Sequence, residues 1–162
     1  MTHGFDNTGR QFDKDGNLRD WWTEKDAQEF KAHTSLLVDQ FNKYEVLDSL
    51  FINGKLTLGE NIADLGGIMM GYEAFKKTSQ YKSHVIIAGL NPDQRFFLGY
   101  AFAWMENDRP ETIANQVRSN EHSPAKFRVI GPLSNMPEFY ATFGIKKGDA
   151  MWRPDSMRVK IW

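Results

Sequence analysis

The chain has 162 residues, the ordinary size of one domain, and we expect residues 1–162 to fold as a single unit. Its composition, 41% hydrophobic and 25% charged with a formal net charge of −1, is that of a globular protein without the excess of basic residues that nucleic-acid binding requires. No apolar run is long enough for a membrane span, and the absence of cysteine excludes disulfides and thiolate metal sites, so a zinc ion would need His, Asp or Glu ligands.

The first residues carry a candidate metal ligand. Met1-Thr2-His3 matches the last three positions of His-Glu-x-x-His, a helical motif whose two histidines bind zinc together while its glutamate acts on water. In that interpretation the first histidine and the glutamate precede residue 1, and the chain is a piece of a longer protein. The short helical end then leads into loop and hairpin through residue 22, with Asp13–Asn17 as the turn.

A long amphipathic helix is predicted next. Thr23 and Asp26 have the spacing of an N-terminal cap, and apolar residues then recur at intervals of three, four and seven. The stripe consists of Phe30, Leu37, Phe41, Tyr44, Leu47 and Phe51. This pattern predicts a helix that packs against the core.

Asn53-Gly54 predicts a turn, and a second helix is predicted from Thr57 to about Lys77. Glu60 and Asp64 are four residues apart on one face of this helix, where their like charges repel unless a cation lies nearby. Two interpretations are open. Either the pair lies beside a cation, or Glu60 completes a capping box with Thr57 while Asp64 pairs with an arginine.

The segment that follows contains a short apolar run, Val85–Ala88, which predicts a strand or a packed loop. Asn91-Pro92-Asp93 is a strong helix start, since it offers an N-cap, a proline in the first turn and an acid near the positive end of the helix. The predicted helix extends to about Glu106 and is apolar nearly all round, which indicates a buried helix. Trp104 and the pair Trp21-Trp22 are likewise predicted to lie in the core.

The last part of the chain predicts helices over residues 110–120 and 137–143, each of which begins at a proline. Between them, Ser123-Pro124 predicts a short helical turn, and an irregular stretch is expected to follow it as far as Pro132-Leu133.

His122 stands just before a helix start, and Arg128 follows six residues later. If both reach one cleft, they can stabilise an oxyanion and hold a carbonyl or carboxylate. A histidine beside a helix start is also common as a structural residue, so the spacing alone leaves both roles open. His33 and His84 have no ligand partners at a recognisable spacing and are predicted to lie on the surface.

Several motifs occur together and in order along the chain. They are Thr2–Asn7, Gly16–Leu18, Asp20–Trp22, Gly59–Gly67, Gly89–Pro92, Phe96–Leu98, Trp104, His122–Pro124, Phe127–Gly131, Asn135, Phe139 and Trp162. In this combination the whole chain resembles the neprilysin-like (M13) zinc metallopeptidases, and it matches the C-terminal part of their catalytic domain, starting inside His-Glu-x-x-His. The resemblance implies a mainly α fold, a gluzincin-type C-terminal helical subdomain with a short hairpin and loop region near its N-terminus.

The resemblance also implies a role for each candidate residue. His3 and Glu60 match two protein ligands of the zinc ion, and Asp64 matches the acid that orients a zinc-bound histidine. His122 matches the residue that stabilises the oxyanion, and Arg128 matches the residue that holds a substrate carbonyl. One zinc ion is therefore the implied cofactor, and peptides are the implied substrates.

The sequence departs from the secreted animal members of this family, which have cysteines near the positions of Met105, Ile145 and Val159. The apolar residues found there indicate a bacterial-type member. They leave its compartment, extracytoplasmic or cytoplasmic, undetermined.

The activity that the resemblance implies is a zinc-dependent metalloendopeptidase that hydrolyses internal bonds of oligopeptides. Because the chain lacks the first histidine and the catalytic glutamate, we expect it to bind zinc weakly and to be inactive alone. The alternatives are a non-catalytic helical interaction domain that forms a homodimer, and a pseudoenzyme.

Overall fold

The computed structural model describes residues 2–161, so the expectations for Met1 and Trp162 lie outside the described residues. Within that range the chain forms seven α-helices and one two-stranded antiparallel sheet, with 3-10 turns at Thr2–Phe5, Gly9–Gln11 and Asp155–Met157. The elements are α1 (Glu24–Phe41), β1 (Glu45–Leu47), β2 (Leu50–Phe51), α2 (Leu58–Lys76), α3 (Ser79–Lys82), α4 (Pro92–Ala103), α5 (Pro110–Ser119), α6 (Ala125–Leu133) and α7 (Pro137–Phe143). This architecture confirms the mainly α fold class.

The N-terminal hairpin and the start of α1 are as predicted. Phe12 and Leu18 form an antiparallel bridge across the predicted turn. Thr23 and Asp26 form a complete capping box, in which each side chain accepts a hydrogen bond from the other residue's backbone N–H.

The prediction that the apolar stripe of α1 continues to Phe51 is wrong. The helix ends at Phe41, and the later part of the stripe lies in and beside the β1–β2 hairpin. Between these strands Ser49 has a φ of 57°, a left-handed conformation that an α-helix cannot contain. The N–H of Ser49 donates to the Glu45 side chain at 2.8 Å. The intervals of three and four therefore matched a helix by coincidence.

Helix α2 connects the two apolar clusters of the core. Ile62 and Leu65 pack with residues of α1 and with Phe127 of α6. Ile68 and Tyr72, further along α2, pack with residues of α4 and α7. Helix α2 also contacts the N-terminal 3-10 turn and α6, so the elements that carry the candidate site residues pack against one another.

Helix α6 is longer than predicted. Residues 125–133 form one continuous helix that includes Pro132, where a short turn and an irregular stretch were expected. Proline has no N–H to donate to the carbonyl of Arg128 four residues earlier, which ordinarily disfavours a helix. The hydroxyl of Tyr100 on α4 donates to that carbonyl at 2.8 Å, so a bond from another helix compensates for the missing one.

A buried polar network joins α1 to α6 and to the C-terminal segment. Gln40 donates to the carbonyl of Gly131 at 2.9 Å and accepts from the amide of Asn135 at 2.8 Å. The amide oxygen of Asn135 in turn accepts from the backbone N–H of Val159 at 2.8 Å. Every atom of this network has a partner, as buried polar groups require.

The expectation that α4 is buried on all sides is wrong. Phe97 is fully buried, but Phe102 is 68% exposed and Met105, just beyond the helix, is 73% exposed. The Val85–Ala88 segment was expected to be a strand or a packed loop, and both alternatives are wrong: it is a loop whose three large apolar side chains are about half exposed. None of the helices in residues 2–161 is long and apolar enough to cross a membrane.

Replacing Gly131 by alanine tests the contact between α6 and α1. The added Cβ would overlap the buried ring of Phe41, so we expect the free energy of unfolding to fall by about 1–3 kcal/mol. Gly67→Ala is the matched control, because its Cβ meets no atom within 4 Å and alanine favours the helix by up to about 1 kcal/mol. Urea denaturation measures both variants, and equal effects of the two would contradict the packing described.

Candidate metal centre

The carboxylate of Glu60, in the first turn of α2, lies at the centre of the candidate site. Its Oε1 is 3.3 Å from Nε2 of His3, and its Oε2 is 3.2 Å both from Nε2 of His122 and from Nη2 of Arg128. The Glu60 side chain is only 13% exposed. The structure therefore brings together four of the five predicted site residues at one carboxylate, and Asp64 lies one turn further along α2.

The capping-box interpretation of Glu60 is wrong. Thr57 occupies the N-cap position of α2, but its side chain makes no capping bond to the helix backbone. Its hydroxyl donates instead to the carbonyl of Asn53 at 3.2 Å and accepts from the Asn61 amide at 2.8 Å. Glu60 therefore directs its carboxylate towards the histidines and the arginine.

Asp6 determines the orientation of the His3 ring. One carboxylate oxygen of Asp6 is 2.7 Å from Nδ1 of His3, and the other accepts the backbone N–H groups of Thr8 and Gly9. A carboxylate only accepts, so the hydrogen-bond network places the ring proton on Nδ1 and directs Nε2 towards Glu60. Sequence reasoning missed Asp6, although its spacing of three from His3 was the available signal.

His122 is oriented in a similar way by Asn120. Both the backbone N–H and Nδ1 of His122 lie within 2.9 Å of Oδ1 of Asn120. Because the backbone N–H can only donate, that side-chain atom is the oxygen, and Nδ1 therefore also carries a proton. Ser123, the next residue, is buried and donates to the amide oxygen of Asn61 at 3.0 Å, which fixes this segment against α2.

Arg128 binds Asp64 with two parallel hydrogen bonds. Its Nε and Nη2 donate to the two carboxylate oxygens of Asp64 at 2.7 Å each. This confirms the interpretation in which Asp64 pairs with an arginine. Burial lowers the pKa of Arg128, but the hydrogen bonds and charge of Asp64, together with Glu60, outweigh burial and raise it. The guanidinium also lies 4.1 Å from the centre of the Trp104 ring, so Trp104 stacks on a site residue, a contact that its assignment to the core missed.

The donor atoms around Glu60 fit a zinc ion. Two ligands of a tetrahedral zinc with bonds of 2.0–2.1 Å lie roughly 3.3 Å apart, and this is the separation of His3 Nε2 and Glu60 Oε1. With the ring proton on Nδ1, the Nε2 atom of His3 faces a carboxylate oxygen, and a cation between the two atoms would be bound by both. The site contains three carboxylates, those of Asp6, Glu60 and Asp64, and one guanidinium, that of Arg128. Its negative groups therefore outnumber its positive one, which favours binding of a cation.

A second set of ligand atoms shares Glu60. One possible ligand atom from each of Glu60, Glu121 and His122 lies within 4.8 Å of the other two. Sequence reasoning did not select Glu121, although it directly precedes His122. Arg128 already donates to the oxygen of Glu60 that faces this second set, whereas within residues 2–161 no lysine or arginine donates to the oxygen that faces His3.

Comparison with known proteins gives one family. The model of Peptidase family M13 matches residues 1–159. An endothelin-converting enzyme homologue from Locusta migratoria is 43% identical over 154 residues, which are 93% of this chain and 21% of that protein. Neprilysin from Homo sapiens is 39% identical over 170 aligned residues, which cover 100% of this chain and 22% of that protein. The chain therefore spans about a fifth of the length of these relatives.

Solved structures show the same fold. The inhibitor complex of the zinc metalloprotease Zmp1 from Mycobacterium tuberculosis superposes with a TM-score of 0.91 at 35% identity, over 99% of this chain and 25% of that one. PepO from Lactobacillus rhamnosis superposes with a TM-score of 0.85 at 33% identity, over 99% of this chain and 24% of that one. The helical arrangement around Glu60 thus belongs to a known structural class.

Replacing Arg128 by lysine tests the two-bond contact with Asp64. Lysine keeps the charge but cannot make two parallel bonds to a carboxylate, so we expect the free energy of unfolding to fall by about 1–3 kcal/mol. Lys25→Gln is the control, since it removes an exposed ion pair with Glu29 and should leave stability almost unchanged. Chemical denaturation that shows the same loss for both variants would contradict this description of the site.

Proposed function

This chain belongs to peptidase family M13 and corresponds to the C-terminal region of that family's catalytic domain, and we propose that it supplies part of the active site of a zinc-dependent metalloendopeptidase. The proposed substrates are oligopeptides cleaved at internal bonds, with an apolar side chain preferred just after the cut. The single observation that carries the proposal is the carboxylate of Glu60, which faces Nε2 of both His3 and His122.

His3 and Glu60 are the proposed zinc ligands. Asp6 holds the His3 ring with Nε2 directed at Glu60, and such supporting carboxylates increase the basicity of the ligand. Asp64 is proposed to orient a further zinc-bound histidine, in addition to its contact with Arg128. Zinc bound here would supply Lewis acidity, which polarises a carbonyl and activates water.

His122 and Arg128 are the proposed catalytic residues of this chain. Asn120 holds the Nδ1 proton of His122, so Nε2 is directed into the site, where a proton on it would be donated to a developing oxyanion. A donor of this kind typically contributes about 3–4 kcal/mol to lowering the barrier. Arg128 is held by Asp64 on one side and stacked on Trp104, which leaves its guanidinium fixed as a donor to a substrate carbonyl.

The chain alone is proposed to bind zinc weakly and to be inactive. Its 162 residues contain no complete His-Glu-x-x-His, so they supply neither the first histidine ligand nor the general base of that motif. Loss of a general base by itself costs about 10²–10⁴ in rate. Robust cleavage of peptides by the isolated chain, abolished by a chelator, would contradict this part of the proposal.

A non-catalytic interaction domain is the second candidate. The exposed apolar side chains of Phe102, Met105 and the Val85–Ala88 loop favour it, since large exposed apolar residues are common at contact surfaces. In that case the chain would associate with a second copy through exposed apolar residues such as these. Light scattering on the purified chain distinguishes the candidates, because a strict monomer at high concentration argues against the homodimer.

Zinc affinity tests the proposed ligand pair. We expect His3→Ala and Glu60→Gln each to weaken zinc binding at least about tenfold, because each removes a donor of the proposed pair. His84→Ala is the matched control, since it removes an exposed histidine distant in sequence from the site. Competition with a fluorescent zinc chelator measures all three, and equal effects of His3→Ala and His84→Ala would refute the role of His3.

A further inference from the structure

We propose that Tyr100 is a positioning residue for Arg128, acting through the hydrogen bond from its hydroxyl to the Arg128 backbone carbonyl. The proposal rests on the proposed function in so far as Arg128 holds a substrate carbonyl. It goes beyond that function because it assigns a role in the site to a residue of α4 that contacts no proposed ligand.

The position of Pro132 creates the need for this bond. In an α-helix the N–H of residue 132 would donate to the carbonyl of residue 128, and proline has no N–H. That carbonyl belongs to the residue whose side chain enters the site. The hydroxyl of Tyr100 donates to it at 2.8 Å, so α4 supplies the bond that α6 cannot make for itself.

Helix α4 holds Arg128 at two points. Trp104 follows Tyr100 by four residues, at the end of the same helix, and its ring lies 4.1 Å from the guanidinium carbon. Residues four apart share one face of a helix, so this face contacts both the backbone and the side chain of Arg128. A shift of the carbonyl would therefore move the guanidinium relative to Trp104 and to its carboxylate partner Asp64.

The Tyr100 hydroxyl is suited to act as a permanent donor. Burial, together with the nearby charge of Asp64, raises the pKa of Tyr100 well above its usual value, so the hydroxyl keeps its proton throughout the physiological range. The ring itself packs against the second apolar cluster of the core. Tyr100→Phe therefore removes the bond while retaining the packing.

The test combines Tyr100→Phe with Pro132→Ala, which restores an N–H at position 132. In the ¹⁵N-labelled chain, the Nε–H signal of Arg128, assigned by its loss in Arg128→Lys, reports how firmly Nε is bound to Asp64. We expect Tyr100→Phe to speed solvent exchange of this proton about tenfold in the Pro132 background and less than about twofold in the Pro132→Ala background. An unchanged exchange rate, or the same change in both backgrounds, would overturn the proposal.

Tyr72→Phe is the matched control. It removes another tyrosine hydroxyl bond to α4, from the buried Tyr72 to Asp93 at 2.6 Å, without touching Arg128. We expect it to lower stability while leaving the Arg128 exchange rate unchanged. An equal effect of Tyr72→Phe on that rate would indicate general loosening and would overturn a specific role for Tyr100.

Peptide hydrolysis gives a separate readout. In an active peptidase that contains this chain, Tyr100→Phe should lower kcat/KM about tenfold and Pro132→Ala should restore it, while Tyr72→Phe should not change it. If the exchange rate responds as expected but kcat/KM does not, Tyr100 positions Arg128 and the proposed use of Arg128 in catalysis fails. If neither responds, the positioning role itself fails.

Discussion

The arrangement of this structure depends on the charge of one carboxylate. Glu60 is mostly removed from water, and a carboxylate in that position requires compensation by cations or hydrogen-bond donors. Arg128 supplies only part of it, because its two strongest bonds go to Asp64. His3 and His122, each with a proton fixed on Nδ1, then present Nε2 to the two oxygens of Glu60. Under the proposed function, a zinc ion between His3 and Glu60 would complete this compensation on the His3 side.

The fold serves to bring distant segments to that carboxylate. Helix α2 carries Glu60 and Asp64 one turn apart and contributes to both apolar clusters, so it is fixed along its length. The N-terminal 3-10 turn places His3 against the start of α2, and the buried bond from Ser123 to Asn61 places His122 there. Where the sequence of α6 interrupts its own hydrogen bonding, α4 replaces the bond. Buried polar contacts between elements therefore position the site, while the apolar clusters provide stability.

Local spacing predicted part of the arrangement, and the resemblance to a known family supplied the roles of the candidate residues. The interval of four between Glu60 and Asp64 placed both on one helix face, and capping signals located the starts of α1 and α4. Predictions failed where a tertiary contact overrides a local rule. The hydroxyl of Tyr100 compensates for Pro132, so α6 is continuous despite its proline. The stacking of Trp104 on Arg128 joins two helices, and no pattern within either helix encodes that contact. The hairpin after α1 was mistaken for helix because its apolar residues also fell at helical intervals.

The measurement that tests the account most directly is an anomalous difference map at the zinc absorption edge, from crystals of the chain grown with zinc. The account predicts a peak within bonding distance of both Nε2 of His3 and Oε1 of Glu60. A peak held by Glu60, Glu121 and His122, with the His3 ring free of metal, would contradict it.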